Sequence, residues 1–378
     1  MTKHVNELEE QILLRRRHPR REDERGHFFR DTTALIHSYP FRRLKHKTQV
    51  FFSPKNDHIC TRIEHVMHVA SIAATVCRGL GLDADLAWAI GLGHDLGHTP
   101  FGHAGEKIMD RLKKENGLSG FVHELYSLRV VDCLARYGSG LNLTYAVRDG
   151  IVNHCGEKFE QSIRPDFRFR ELESFTARDH YPATWEGVVV RMADKIAYLG
   201  RDLEDAVQLG IVEKESIPEL VSSVLGTTNS EIISTLVSDL VETSGKSEVI
   251  GFGDQAFGAM GELKDFNYRN IYTNPVLSDY HRYFERVLRT LFDYLSEIFR
   301  RAEFDYESYK AEKNLLAVRF GDYVLKMKPF YEKIDGGFKN LVFDYLAGMT
   351  DDYALECISE IMIPKKMEHR FDQFLLGS

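Results

Sequence analysis

GHDLGHTPFGH, residues 93–103, places three histidines and one aspartate within ten positions. It follows an apolar run, residues 84–93, that reads as a largely buried helix, and Pro100 and Gly102 mark a tight loop before another helix begins near His103. His94 and Asp95 diverge on a regular helix, but at a helix end an imidazole and a carboxylate can converge on one divalent ion. Such a pair needs ligands from elsewhere in the chain. His65 lies on the preceding predicted helix, and Asp194 lies in RMADKIAYLGRD, residues 191–202, on a later one. Singly, these residues suit a chance His-Asp pair, a hydrogen-bonded core histidine or a surface acid. Their order, H…HD…D with each member on a predicted helix, points to a metal site.

Working outward, helical periodicity dominates. Ile63, Val66, Val69, Ile72, Ala73 and Val76 follow the three-four spacing of a buried face over residues 62–78, and Gly79 and Gly81 supply a stop. Further helices are predicted near 122–136, 142–153, 185–208 and 280–302. Another carries Ile232, Ile233, Leu236, Val237, Leu240 and Val241, with Asn229 or Ser230 as its N-cap. The glycine- and serine-containing stretch 243–257 is the best candidate for a mobile connection. Strand-like alternation is scarce, so the predicted fold class is all-α. The expected division is an N-terminal arm and substrate-contacting segment (1–60), a helical core (61–215) and a C-terminal helical region completing the pocket and an oligomer interface (216–378).

The 378 residues are 43% hydrophobic, enough for a real core, and no run reaches the roughly 20 apolar residues of a membrane span. The N-terminus lacks the apolar core of a secretory signal, and the five cysteines are scattered without CxxC, which predicts free thiols in a reducing cytoplasm. A net charge of −8 argues against a dedicated nucleic-acid binder. Two basic clusters stand out nonetheless. Arg15, Arg16, Arg17, Arg20 and Arg21 read first as a solvated arm, whereas Arg42, Arg43, Lys45 and Lys47 lead into the motif region and suit phosphate contact.

RDTTALIHSYPFRRLKHKTQVF (30–51), RIEH (62–65), GHDLGHTPFGHAGE (93–106), FVHELYSLRVV (121–131) and DKIAYLGRD (194–202) together resemble the bacterial deoxyguanosine triphosphate triphosphohydrolase-like family of the HD superfamily. That family is related to the vertebrate dNTPase carrying a SAM domain. The similarity covers roughly residues 28–210 and continues more weakly through GELKDFNYRNIY (261–272). It implies an HD-domain helical core with additional C-terminal helices. It also implies metal-dependent hydrolysis of a deoxynucleoside triphosphate to deoxynucleoside and inorganic triphosphate, by water attack at the α-phosphorus.

The metal ligands implied are His65, His94, Asp95 and Asp194, holding one divalent ion, Mn2+ or Mg2+ first, with Fe, Co, Ni or Zn also compatible. His103 matches the family's general acid. Glu106, three residues on, lies on the same helix face and can orient its imidazole, although alone it equally suits first-turn stabilisation. His98 and His123 match further active-site histidines. Glu124 assists the nucleophile or is an exposed helix acid. For substrate, Arg62 and Lys195 match phosphate-binding residues, Gln49, Tyr198 and Asp202 sugar contacts, and Val50 an apolar residue crowding the 2′ position. Arg269 and Tyr272 rest on the weaker distal similarity. Val66 and His68 depart from the family pattern; His68 reads first as a satisfied core histidine. His154, in IVNHCGE, matches a recurring position with no assigned role.

The resemblance also implies a homo-oligomer, tetramer or hexamer, with possible allosteric dNTP sites. Two alternatives stay open: an HD phosphohydrolase acting on nucleoside monophosphates, alarmones or single-stranded DNA ends, and a nucleotide-sensing protein or a weak single-stranded nucleic-acid binder. No membrane partner is expected.

Overall fold

The computed structural model describes residues 4–21, 23–52, 58–155, 158–176, 180–334 and 336–363, so the first residues of the expected arm and the last of the expected C-terminal region lie outside it. The chain is all-α. Its only sheet among the described residues is a two-residue antiparallel pairing, Ser162–Ile163 with Ile250–Gly251. No helix among them is long and apolar enough to cross a membrane.

Seven helices build the body around the motif: α1 (Gly26–Ile36), α2 (Arg62–Leu80), α3 (Ala84–Gly93), α4 (Gly102–Glu115), α5 (His123–Arg129), α6 (Tyr145–Val152) and α7 (Trp185–Gln208). α3 is central, packed by α1, α2, α6 and α7. Its composition explains this place: seven of its ten residues are buried, including Leu86, Ile90 and Leu92. Asp83 caps it by accepting from the Asp85 and Leu86 N–H groups. α2 starts with a reciprocal Thr61–Glu64 capping box and ends at Gly81 in the left-handed conformation, the stop its sequence predicts. The two helices meet almost backbone to backbone, because a Cβ on Gly91 would lie 2.6 Å from Ala70 Cα.

Among the remaining helices are α8 (Asn229–Lys246), α9 (Asp254–Asn267), α10 (Pro275–Ala302), α11 (Leu315–Tyr331), α12 (Leu341–Ala347) and α13 (Asp351–Met362). α8 and α9 pack on α7, while α10 lies against α4, α12 and α13. Asp344 of α12 fastens this region to α5. It takes two bonds from Arg129, at 3.0 and 2.6 Å, and the hydroxyls of Tyr126 and Tyr331, at 3.0 and 2.6 Å.

Several expectations change. The helix over 122–136 is interrupted: α5 runs into a single π-turn, Val130–Leu134, where Leu141 N–H bonds the Val131 carbonyl. The cap of α8 is Thr228, one residue earlier than expected, because Thr228 and Glu231 form the capping box. The 243–257 stretch is built into structure, through the Ile250–Gly251 pairing, the Ser244 hydroxyl on Gly251 and Asp239 on the Gly253 N–H.

The basic clusters also find internal partners. Arg16 pairs with buried Asp31 at 2.5 Å, and Arg17 donates to the Asp132 carbonyl at 2.8 Å. In the second cluster Arg43 donates to the Gly348 carbonyl at 2.9 Å and Lys47 to the Ala347 carbonyl at 3.0 Å, contacts to protein backbone where phosphate was expected.

The close approach of α2 and α3 is testable. Gly91→Ala should cost about 1–3 kcal/mol by overpacking. Gly258→Ala, whose new Cβ would meet nothing within 4 Å, should be neutral or gain up to about 1 kcal/mol from reduced backbone entropy. Chemical denaturation measures both, and equal stability of the two variants would contradict the packing described.

Candidate metal centre and active site

Three elements deliver four side chains to one buried point. His65 comes from the first turns of α2, His94 and Asp95 from the end of α3, and Asp194 from the middle of α7. His65 Nε2 lies 3.1 Å from Asp194 Oδ1 and 3.7 Å from Asp95 Oδ2. His94 Nε2 lies 3.6 Å from Asp95 Oδ1 and 3.8 Å from Asp194 Oδ1. The tautomer of His94 follows from its other nitrogen, since Nδ1 donates to the Gly91 carbonyl at 2.7 Å. Nε2 is then an unshared pair, and it is buried with no hydrogen-bond partner among the described residues. A lone-pair nitrogen aimed at two carboxylate oxygens is a ligand arrangement, and the donor set fits a divalent cation.

The electrostatics agree. Burial pushes the His94 imidazole down to about 4, keeping it neutral. Burial alone would raise Asp194, but the bond and charge of His65 outweigh it and hold the carboxyl near 2. For His65, burial works downward and the Asp194 bond and charge reverse the balance, so its pKa rises. Asp95 is likewise held well below the carboxylate range: burial is overcome by His98, His94 and Arg62.

Around Asp95 a second layer forms. His98 Nε2 is 3.1 Å from Asp95 Oδ1, and its ring stacks on His123 at 4.0 Å between centroids. Glu106 links two histidines, one buried and one open. Oε1 accepts the backbone N–H of His123 at 3.0 Å and sits 3.1 Å from its Nδ1, while Oε2 is 3.3 Å from Nδ1 of His103. The side chain of His103 is 66% exposed, so it faces outward from this cluster. Glu124 Oε2 lies 3.3 Å from His123 Nδ1, and it is buried, which removes the reading of an exposed helix acid. Burial depresses His123, but Glu124 and Glu106 raise it to about 9.

The sugar-face candidates are grouped beside the ligands. Tyr198 and Asp202 follow Asp194 along α7, and the Tyr272 hydroxyl donates to Asp202 Oδ2 at 2.6 Å. Burial lifts Asp202 to about 7. Gln49 and half-buried Val50 lie on the segment leading to Arg62, and Gln49 Oε1 is buried without a donor among the described residues.

Other candidates are placed differently from expectation. Arg62 is 1% exposed, pairs with Asp95 Oδ2 and donates to the Thr48 carbonyl at 3.2 Å, so its fork grips a candidate ligand. Lys195 is turned to Glu160 at 3.1 Å, and exposed Arg269, in the π-turn that follows α9, donates to the Asp265 carbonyl of that helix. His68 is only half buried, beside Arg201, and is no core histidine.

Sequence reasoning left His154 without a role, yet it belongs to the cluster. Its Nδ1 donates to the Ile151 carbonyl at 2.7 Å, repeating the arrangement of His94, and Nε2 lies 3.9 Å from Asp95 Oδ1. The available signal was position: like His94, His154 follows directly on an apolar stretch predicted to be helical, 142–153.

Residues 62–199 match the HD domain model and residues 250–360 match the phosphohydrolase-associated domain. The chain is 38% identical to a deoxyguanosinetriphosphate triphosphohydrolase-like protein of Desulfatibacillum aliphaticivorans, over 90% of this chain and 88% of that one. A protein of the same description from Caldanaerobacter subterraneus subsp. tengcongensis is also 38% identical, over 90% and 86%. One from Clostridium tetani is 34% identical, over 91% and 88%.

Two outcomes follow from the site. Asp194→Ala should abolish Mn2+ binding in a calorimetric titration while the far-UV helical signal is retained; undiminished affinity would remove Asp194 from the ligand set. His123 supplies a pH signature in chelator-treated protein. Its folded pKa, about 9, lies above the ordinary 6.5, so its contribution is complete below 6.5 and is lost as pH rises through 9. Glu106→Gln should flatten the fall in stability across that window, and an identical fall would contradict the assignment.

Proposed function

Because this chain belongs to the HD-domain deoxyguanosinetriphosphate triphosphohydrolase-like family and is a phosphohydrolase, we propose that it hydrolyses deoxynucleoside triphosphates to deoxynucleoside and inorganic triphosphate. The observation that carries this reading is the unpartnered His94 Nε2 among Asp95, Asp194 and His65, with the open His103–Glu106 pair beside it.

The ion is divalent in this reading, Mn2+ or Mg2+ being the first choices, and His65, His94, Asp95 and Asp194 hold it. When bound, it supplies concentrated positive charge against the negative charge that develops on phosphate. The chain's own residues do the rest. The reaction breaks the bond between the α-phosphorus and the 5′ oxygen, a poor leaving group that needs a proton. Exposed His103 delivers that proton, and Glu106 holds its Nδ1–H so that Nε2 faces the substrate. His123 places a donor against the phosphate oxygens, Glu124 keeps it protonated, and His98, whose Nε2–H is given to Asp95, holds that carboxylate in place beneath the His123 ring.

Asp202, with the Tyr272 hydroxyl on one oxygen, accepts from the 3′ hydroxyl, and Tyr198 packs on the sugar. Gln49 offers its unpartnered Oε1 to the sugar edge, and Val50 crowds the 2′ position. Arg62 serves the site mainly by orienting Asp95. The nucleic-acid reading has less support, since Arg16 and Arg17 are occupied within the fold.

Incubation with each dNTP and NTP plus Mn2+, with products separated by ion exchange, tests the reading. Inorganic triphosphate from dNTPs and little from NTPs is the expected result; orthophosphate or pyrophosphate as the product would overturn it. His103→Ala should lower kcat by about 10²–10⁴-fold while Mn2+ affinity stays at the wild-type level. A rate equal to wild type would exclude His103 as the acid.

A further inference from the structure

Two segments of the site, 47–50 and 98–103, are tied to the first turn of α13. Asp351 is buried, and each of its carboxylate oxygens accepts a backbone N–H: Thr48 to Oδ2 at 3.0 Å and Phe101 to Oδ1 at 2.9 Å. Phe101 holds φ at +65°, a left-handed conformation that is strained for a bulky residue and persists only where surroundings fix it. Those surroundings come from the C-terminal helices. The Phe101 ring stacks on Phe284 of α10, with centroids 4.3 Å apart and planes 3° from parallel. Lys47, also buried, donates Nζ to the His98 carbonyl and to the Ala347 carbonyl at the end of α12. The turn that begins at His98 and opens α4 at His103 is therefore held at both ends by α10, α12 and α13.

We propose that Asp351 is a positioning residue for the reaction. It fixes the register between the His98–His103 turn and the Thr48–Gln49 segment through the Phe101 and Thr48 N–H groups. The inference rests on the hydrolysis reading above and deepens it: the phosphate-side and sugar-side contacts share one carboxylate, supplied from outside the HD domain. The four metal-ligand candidates sit on α2, at the end of α3 and on α7, and none is a hydrogen-bond partner of Asp351. The pin and the ion are thus separable. An asparagine keeps the shape but turns an NH2 toward one of the two N–H groups, losing one charge-assisted bond and opposing donor to donor.

The test compares Asp351→Asn with wild type and with Tyr353→Phe, a control on the same helix whose hydroxyl meets Tyr345, at 2.9 Å, and also Arg319 and Cys357, none of them in the two pinned segments. Amide hydrogen exchange is followed in peptides covering 47–52 and 96–104, with kcat and KM for a dNTP and calorimetric Mn2+ affinity. The expected result is faster exchange in both peptides and kcat lower by about 10–100-fold, the scale of a small misplacement of reacting groups. KM and Mn2+ affinity should stay near wild type, and Tyr353→Phe should match wild type throughout. Unchanged exchange at 96–104, faster exchange with a wild-type kcat, or Mn2+ affinity falling in step with kcat would each overturn the proposal. If Asp351→Asn does not fold, Lys47→Met decides by the same split, and an unaltered kcat there overturns it. A wild-type protein inactive on every nucleotide would instead sink the hydrolysis reading, and the exchange pattern would still decide whether the pin exists.

Discussion

The buried carboxylate of Asp95 is the contact on which the rest of the site depends. Arg62 holds one oxygen, His98 holds the other, and the lone-pair nitrogens of the neighbouring His94 and His154 rings lie 3.6 and 3.9 Å from that second oxygen. An isolated carboxylate in such a place would be neutralised by its own desolvation. Here the surrounding imidazoles and guanidinium keep it ionised, so the site holds negative charge where a cation fits. The cost of that burial is met by packing: α3 brings Asp95 to the centre of the body because its other residues are apolar, and α2 comes close because Gly91 has no side chain.

Much of this was legible in the sequence for a physical reason. His65 and Asp194 stand on helices with apolar periodicity, and His94 and Asp95 end an apolar run that reads as a buried helix, so their convergence could be anticipated. The Glu106–His103 pairing followed from three-residue spacing on one helix. What escaped was set by tertiary contact. Arg62 reads as a phosphate grip in one dimension, but the fold turns it onto Asp95. Lys195 has Glu160 as a partner 35 positions earlier, across a connection with no periodic signal. The π-turn after α5 and the Thr228 cap also depend on which carbonyl or side chain arrives first, and apolar spacing does not record that.

The second domain contributes more than cover. Tyr272 reaches Asp202, Asp344 fastens α5, and Asp351 and Lys47 fix the ends of the His98–His103 turn. These contacts join 250–360 to the HD core through buried, charge-assisted bonds, which are strong when complete and costly when one partner is lost. A strained Phe101 at the centre of that junction is consistent with a turn whose geometry is imposed from outside.

The central claim, water attack at the α-phosphorus with His103 protonating the departing 5′ oxygen, is tested most directly by turnover in 18O-labelled water. The account predicts one 18O in the inorganic triphosphate and none in the deoxynucleoside, whose 5′ oxygen stays with the sugar. Label in the deoxynucleoside would mean attack at the 5′ carbon and would contradict the role given to His103.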